Sequence, residues 1–502
     1  MRYIPDFYKP SLALLTDLYQ LTMAQGYWKQ GVDAQKEASF ALTFRKIPFE
    51  GGYAVTCGQS LAWQFVEQLS FDNSDLEYLS SLEGNDGKAL FEREFIKLLS
   101  GLELSVDICA MPEGTVAFAH EPIVRVTGPI LQCQLLETPL LNMINFQTLL
   151  ATKAARVAWA AGQSPVLEFG LRRAQGIDGG ISASRASYVG GCAGTSNVLA
   201  GKLFDIPIKG THAHSWVMSF DSEIESFEAY AQAMPNNCVF LVDTYDSLEG
   251  TQRAVQVARD LREKGHEMVG IRLDSGDLAY LSIEARKILD TGGFEEAKIV
   301  ASGDLDEYLI RSLIDQGAKI DVYGVGTKLA TAYDQPALGG VYKLAAVRGD
   351  ANQPWQRKVK LSEQRAKMTN PGLMQVRRFS RPGQGEYLAD AIYDSQLDLP
   401  TDQVVIVDPL DETRRKVVGP GARGEDLLIP VFQAGRAVAE LDDDVQAARD
   451  RARRQLDRFH ESIKRFENPH QYPVGLEQQL YQCKTRLIFE ARGLGDTEEK
   501  SD

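Results

Sequence analysis

The side chains best equipped for chemistry fall into short clusters between positions 169 and 327. FGLRR ends in Arg172 and Arg173, THAH carries His212 and His214, RLDSGD carries Arg272 and Asp274, and SGD and GVGT bring Gly303, Gly324, Gly326 and Thr327. A guanidinium fork binds phosphate or carboxylate through two parallel hydrogen bonds, so the three arginines are candidate anion clamps. Glycine at the end of a buried strand lets backbone N–H groups approach an anion. Two such turns in succession, with Thr327 as a hydroxyl donor, point to a phosphate group. Asp274 suits ribose hydroxyls or a water-bridged magnesium ion; its structural alternative is to cap the helix after Gly276. His212 and His214 are spaced i and i+2, which on a strand turns both imidazoles to one face. That pair serves either as metal ligands in a hydrolase or as one imidazole working as nucleophile or acid–base group near pH 7. The remaining histidines, His120, His266, His460 and His470, stand in no ligand spacing with them.

These clusters share one kind of position. Strand-length apolar runs recur at residues 166–169, 207–210, 238–243, 268–274, 298–302 and 320–326, and each runs directly into one of the reactive segments. Helical patterns separate several of them: Ala254, Val257, Ala258 and Leu261 recur at helical spacing, and Leu309 and Leu313 are expected on one buried stripe. Alternating strand and helix predicts a parallel sheet with its chemistry at the strands' C-terminal ends. A barrel is favoured modestly over a doubly wound open sheet, which places its ligands at the same ends. Residues 1–125 read as an N-terminal α+β domain, residues 126–347 as an α/β barrel core, and residues 348–502 as a C-terminal region packing with the N-terminal domain. The charged stretch after residue 440 reads as an amphipathic surface helix.

Composition narrows the partners. The 502 residues are 44% hydrophobic and carry 54 basic against 69 acidic side chains, a net charge of −15. That balance disfavours broad binding to nucleic acid or to an anionic membrane, so an anionic ligand needs a local positive pocket. No apolar run is long enough to span a bilayer, the start lacks a signal pattern, and the six cysteines form no CxxC pair. Reduced thiols in a cytoplasmic protein are the expectation.

Longer motifs then carry a resemblance. LLTDLYQLTMAQGYW (14–28), FRKIPFEGGYAV (44–55), LEFGLRRAQGIDGG (167–180), GTSNVLAG (194–201), GTHAHSWVMSF (210–220), VDTYDS (242–247), GIRLDSGDL (270–278), VYGVGT (322–327) and GGVYKLAAV (339–347) occur in this order. Together the chain resembles the nicotinate phosphoribosyltransferases over most of residues 14–347, and beyond residue 350 mainly in KMTNPG (367–372). The resemblance implies an irregular α/β barrel of the type II phosphoribosyltransferase kind, with a further α/β domain built from both chain ends. It implies synthesis of nicotinate mononucleotide and diphosphate from nicotinate and 5-phosphoribosyl 1-diphosphate in NAD salvage, coupled to ATP hydrolysis, with Mg2+ as cofactor. His214 takes the place of the family's phosphorylated histidine. Tyr19, Phe169 and Thr211 take the pyridine site, Tyr19 reaching a partner subunit's site in a homodimer. Arg172, Arg272 and Asp274 take anion and ribose contacts, Gly303, Gly324, Gly326 and Thr327 the phosphate loop, and Thr369 a diphosphate contact. Ser196 is expected in the nicotinate pocket, because nicotinamide-using relatives resemble GTDTV, with an aspartate where this chain has a neutral hydroxyl. The alternatives are a nicotinamide phosphoribosyltransferase and a metal-dependent barrel hydrolase built on His212 and His214.

Overall fold

The computed structural model describes residues 12–32, 36–383, 385–438 and 444–494. The chain divides into two compact units. The first comprises residues 1–148, 337–443 and 454–502, the second residues 149–336 and 444–453. Two features set boundaries different from those expected at 125/126 and 347/348. Strand Gly340–Arg348 pairs along its whole length with Glu37–Phe44, so the chain rejoins the N-terminal unit before residue 347. The N-terminal unit also extends into the long helix Glu137–Ala161, inside which the division falls.

The first unit holds a seven-stranded antiparallel sheet, with Glu37–Phe44 between Gly340–Arg348 and Pro122–Pro129. A second sheet of six strands is mixed, its one parallel pair being Tyr387–Asp394 with Val474–Glu477. The helix Leu18–Lys29 buries Leu21 and Ala24 against Phe95, Leu99 and Leu131. Its other side leaves Leu18, Tyr19 and Met23 exposed.

The second unit is organised around six parallel strands: β1 (Val166–Glu168), β2 (Gly194–Thr195), β3 (Val239–Leu241), β4 (Gly270–Leu273), β5 (Lys298–Ala301) and β6 (Val322–Val325). Their order is β2-β1-β6-β5-β4-β3, and a single bridge joins Thr195 of β2 to Ile208. Neighbours therefore follow chain order, and the first strand pairs with the last through Val166 and Tyr323. That pairing is the signature of a barrel, whereas an open doubly wound sheet leaves two edges remote in sequence. No ladder joins the Ile208 segment to β3 among the described residues, so the ring has one seam. The predicted strand at 207–210 is reduced to that bridge, and β2, too short to show as an apolar run, takes its place in the ladder.

The intervening helices follow the pattern of apolar spacing. Ser247–Glu263 buries Ala254, Val257, Ala258 and Leu261, and Asp246 caps it by accepting the Leu248 and Glu249 N–H groups. Each such valine or leucine contributes ~1.5–3 kcal/mol of burial. Helix Glu307–Asp315 departs from expectation: Ile310 and Leu313 form its buried stripe, while Leu309 is exposed. Glu307 sets that rotation, because it is drawn inward by Lys153 at 2.7 Å and Arg156 at 2.8 Å. The helix Val445–Asp457 buries Val445, Ala448 and Ala452 on one side, as an amphipathic helix should.

Candidate active site

Every reactive cluster of the second unit emerges from the C-terminal end of a strand or from the loop beside the seam. At its centre stands Arg272 in β4. Its Nε donates to Ser302 Oγ at 2.8 Å, one terminal nitrogen to Thr211 Oγ1 at 3.0 Å and the other to Asp274 Oδ1 at 2.7 Å. The guanidinium carbon lies 5.7 Å from the centre of the Phe169 ring. One side chain thus ties together the ends of β1, β4 and β5 and the segment after Ile208.

Asp274 does not cap a helix. Asp277 does so, accepting the Tyr280 N–H, which leaves the Asp274 carboxylate to the site. Burial raises the Asp274 pKa, but the Ser302 hydroxyl and the Arg272 guanidinium outweigh it and hold the carboxyl below its ordinary value. Its second oxygen lies 4.0 Å from His214 Nε2, while His214 Nδ1 is 3.1 Å from Thr244 Oγ1. The His214 side chain is 41% exposed, enough for a reactant to reach it.

The histidine pair is not a strand pair. His214 opens the short helix His214–Val217, and His212 is 8% exposed, with its Nε2 accepting the Leu241 N–H at 3.2 Å. Burial pushes the His212 imidazole down to about 4, helped by the positive charge of Arg272. The nitrogens left over differ in setting: His212 Nδ1 is buried without a hydrogen-bond partner, whereas His214 Nε2 points to Asp274. No group of three or more His, Cys, Asp or Glu side chains suited to a metal ion occurs among the described residues. Both points weigh against the hydrolase reading. A magnesium ion carried by a substrate's phosphates needs only one or two carboxylates, and here the residues fit. Asp274 Oδ2 faces His214, and Asp243 Oδ1 is buried without a hydrogen-bond partner while Oδ2 accepts from the Asp274 N–H and the Ser275 hydroxyl.

On the β1 side, Phe169 lies against the glycine turn of β6. A Cβ on Gly324 would stand 2.7 Å from the Phe169 ring, so only glycine allows this approach. Gly303 has φ +112°, a backbone region that L side chains rarely adopt. Gly326 lies beside the Phe169 carbonyl, and Thr327 opens the short helix Thr327–Ala330. Ser196 donates its backbone N–H to the Glu168 carbonyl at 3.0 Å, and its hydroxyl lies 3.5 Å from the same oxygen. Arg172 and Arg173 are exposed on the turn Leu171–Arg173 and make no side-chain ion pair or hydrogen bond among the described residues.

Several participants carry no motif of their own in the sequence. Glu168, 1% exposed, accepts from the Gly170 N–H, the Ser184 hydroxyl at 2.9 Å and the Thr195 hydroxyl at 2.6 Å, and so fixes the turn that presents Phe169 and Arg172. Ser302, Thr244 and Asp243 each orient a residue named from the sequence; adjacency to Gly303, His214 and Asp274 in the strand-end motifs is the signal that marks them. Tyr19 and Thr369 belong to the first unit. Tyr19 is 47% exposed, and burial of its remaining surface raises its pKa. Thr369 accepts the Lys360 N–H at 2.8 Å and lines a small cleft with Arg45, His120, Lys343 and Lys367, a positive setting suited to an anion.

Comparison with known proteins covers both units. Residues 14–145 match the nicotinate phosphoribosyltransferase N-terminal domain, residues 165–353 the nicotinate phosphoribosyltransferase family, and residues 374–484 the C-terminal domain of the same enzymes. The chain is 42% identical over 494 residues to a nicotinate phosphoribosyltransferase of Bacillus subtilis, covering 97% of each. It is 35% identical to the Homo sapiens nicotinate phosphoribosyltransferase over 534 residues, 95% of this chain and 96% of that one. The crystal structure of human nicotinic acid phosphoribosyltransferase superposes with a TM-score of 0.81 at 32% identity, over 94% of this chain and 99% of that one. A nicotinate-nucleotide pyrophosphorylase from Pyrococcus furiosus shares the fold, with a TM-score of 0.65 over 89% of this chain and 95% of that one, at 22% identity. No helix among the described residues is long and apolar enough to cross a membrane.

Proposed function

The chain belongs to the nicotinate phosphoribosyltransferase family, and from that premise we propose that its barrel rim transfers the phosphoribosyl group to nicotinate, with His214 as a phosphoryl acceptor from ATP. The observation that carries the reading is the approach of His214, from the segment beside the seam, to Asp274 at the end of β4, whose other oxygen pairs with Arg272, with Phe169 beside the guanidinium. In the reaction the pyridine nitrogen's lone pair forms the new bond to ribose C1 as the C1–O bond to diphosphate breaks. Positive charge develops on the ribose ring and negative charge on the departing diphosphate. The nitrogen of nicotinate carries no proton to remove, so positioning and electrostatic stabilisation suffice, and a general base is unnecessary.

Phe169 offers a face for the pyridine ring, with the Ser196 hydroxyl available to its carboxylate and the Thr211 hydroxyl able to donate to it on releasing the His212 carbonyl. Arg272 and the unpaired Arg172 offer guanidinium groups to the phosphates, and Gly303, Gly324, Gly326 and Thr327 line the turns where the 5-phosphate is expected. Asp274 is suited to the ribose hydroxyls. When bound, Mg2+ neutralises charge on the diphosphate, and Asp274 and Asp243 are the carboxylates that would hold it. Thr244 occupies His214 Nδ1, which leaves Nε2 to attack the terminal phosphorus of ATP; ADP departs, and water later releases phosphate from the phosphohistidine. The resemblance also assigns Tyr19 a pyridine contact and Thr369 a diphosphate contact. The exposed Leu18, Tyr19 and Met23 support a homodimer in which Tyr19 serves a partner's site. Six free thiols support a cytoplasmic location.

The test is product formation by purified protein from nicotinate or nicotinamide, each with and without ATP. Nicotinate mononucleotide should form preferentially and be stimulated by ATP. Labelled phosphate from ATP should enter the wild type in an acid-labile form and be lost in His214→Ala; equal labelling of that variant, or preference for nicotinamide, refutes the assignment.

A further inference from the structure

His212, the buried member of the THAH segment, has no part in the reaction just described, yet it stands at the one place where the barrel ring lacks a ladder. In the β3–β4 pair the Gly270 N–H bonds to the Cys238 carbonyl and the Val242 N–H to the Arg272 carbonyl. Alternate residues of β3 therefore face β4, and Leu241, between them, turns its N–H to the seam. In a complete barrel a carbonyl of the adjoining strand accepts such a group. Here the adjoining segment leaves the sheet after Ile208, and the acceptor is the imidazole Nε2 of His212 at 3.2 Å. The ring is clamped edge-on against Tyr230, with centroids 4.7 Å apart, and Phe227 lies 6.3 Å away.

The residues flanking His212 are the ones that meet the site. Thr211 donates its hydroxyl to the His212 carbonyl at 3.1 Å and accepts from Arg272, and His214 meets Thr244 just beyond β3. The segment is thus held to β4 by Thr211, to β3 by His212 and to the loop after β3 by His214. Only the middle anchor is buried. We propose that His212 is a positioning residue that stands in for the missing strand carbonyl at the seam and thereby fixes where Thr211 and His214 sit. The proposal rests on reading the rim as the phosphoribosyl-transfer site, and it deepens that reading by assigning the second histidine a role without chemistry of its own.

The experiment compares His212→Phe, which keeps a ring against Tyr230 but accepts no hydrogen bond, with His212→Gln, whose amide oxygen reaches the place of Nε2. Amide hydrogen exchange at Leu241 and steady-state kinetics are measured on the full chain. In His212→Phe, Leu241 exchange and kcat should change by about tenfold or more in opposite directions, exchange rising and kcat falling. The KM for nicotinate should rise as well, since Thr211, assigned to the pyridine site, moves with the segment, while Phe169 and Ser196 at the ends of β1 and β2 stay in place. His212→Gln should recover all three. If the phenylalanine variant fails to fold, His212→Asn, with the same acceptor one bond short, is compared with His212→Gln in its place. Unchanged Leu241 exchange in the variants lacking the acceptor overturns the proposal. So does a glutamine variant that protects Leu241 yet stays inactive, because the imidazole itself would then be required. Failure of the underlying reading looks different: the wild-type protein would make no nicotinate mononucleotide.

Discussion

Replacing Arg272 is the sharpest single perturbation of this site, because one side chain makes three hydrogen bonds to three different segments. Arg272→Ala removes the donors to Ser302, Thr211 and Asp274 at 2.8, 3.0 and 2.7 Å. The two neutral contacts are worth ~0.5–1.5 kcal/mol each and the charged one ~1.5–3 kcal/mol. The substrate's anion loses a guanidinium as well, and the burial that raises the Asp274 pKa goes unopposed by its nearest cation. Truncating one partner of a buried charged pair costs ~2–5 kcal/mol. Taking ~2–4 kcal/mol in the transition state, kcat/KM for 5-phosphoribosyl 1-diphosphate should fall by ~30- to 900-fold. Arg272→Lys keeps a charge near Asp274 but cannot span Ser302 and Thr211 at once, so it should recover only part of the loss. The assay is initial-rate kinetics with each substrate varied, beside a thermal melt that shows the variant folded. An alanine variant within threefold of the wild type, or full recovery by lysine, would refute the reasoning and return Arg272 to a purely structural role.

Ser196→Asp should raise the KM for nicotinate strongly, with kcat less affected, because a carboxylate would then face the substrate's own in a poorly solvated pocket; equal KM values in the two proteins would show that Ser196 is remote from the ring. Glu168→Gln should lower stability by ~1–3 kcal/mol, since an amide NH2 would oppose one of the three donors now converging on the carboxylate; a melt that does not move excludes it. His212 gives a pH dependence whose sign follows from burial. Its pKa of about 4 in the folded protein lies below the ordinary 6.5, so the unfolded chain takes up the proton first. Stability is complete above pH ~6.5 and declines as pH falls towards 4, by roughly 3 kcal/mol for this group. The Arg272 guanidinium and the titratable His214 imidazole are the groups facing it. His120, also lowered to about 4 by burial with Lys484 near by, adds a slope of the same sign. Urea midpoints measured from pH 7 to 4.5 should therefore fall in the wild type and fall less in His212→Gln; identical slopes would contradict the account.

The barrel was legible because its long strands are buried on both faces and read as unbroken apolar runs. Five of the six predicted runs, at 166–169, 238–243, 268–274, 298–302 and 320–326, contain β1, β3, β4, β5 and β6. The sixth, at 207–210, failed for a physical reason. Ile208 supplies one bridge and the chain then turns away, so a run with a strand's composition has no partner to complete its ladder. β2 was missed for the converse reason, since Gly194 and Thr195 have no apolar periodicity and are held by neighbours β1 and Ile208. The Leu309 error has the same origin. Its spacing with Leu313 is helical, but the buried ion pairs of Glu307 with Lys153 and Arg156 turn Ile310 inward instead.

Residues proposed to touch substrates in such a site announce themselves by type, whereas those that hold them in place do so only through partners distant in sequence. Arg272, Asp274 and His214 could be named from short motifs, yet the contact that orients each comes from elsewhere: Ser302 lies 30 residues from Arg272, and Thr244 lies 30 from His214. The same holds for the two histidines of THAH, identical in type and two positions apart. Whether an imidazole meets the solvent beside a carboxylate or takes a strand's orphan N–H depends on the seam between Ile208 and β3, and no local pattern encodes a seam. It arises only once the first strand has paired with the last, leaving one side of β3 unmatched. The chemistry of this chain is therefore written in its strand ends, and the division of labour between neighbouring residues is written in the closure of the ring.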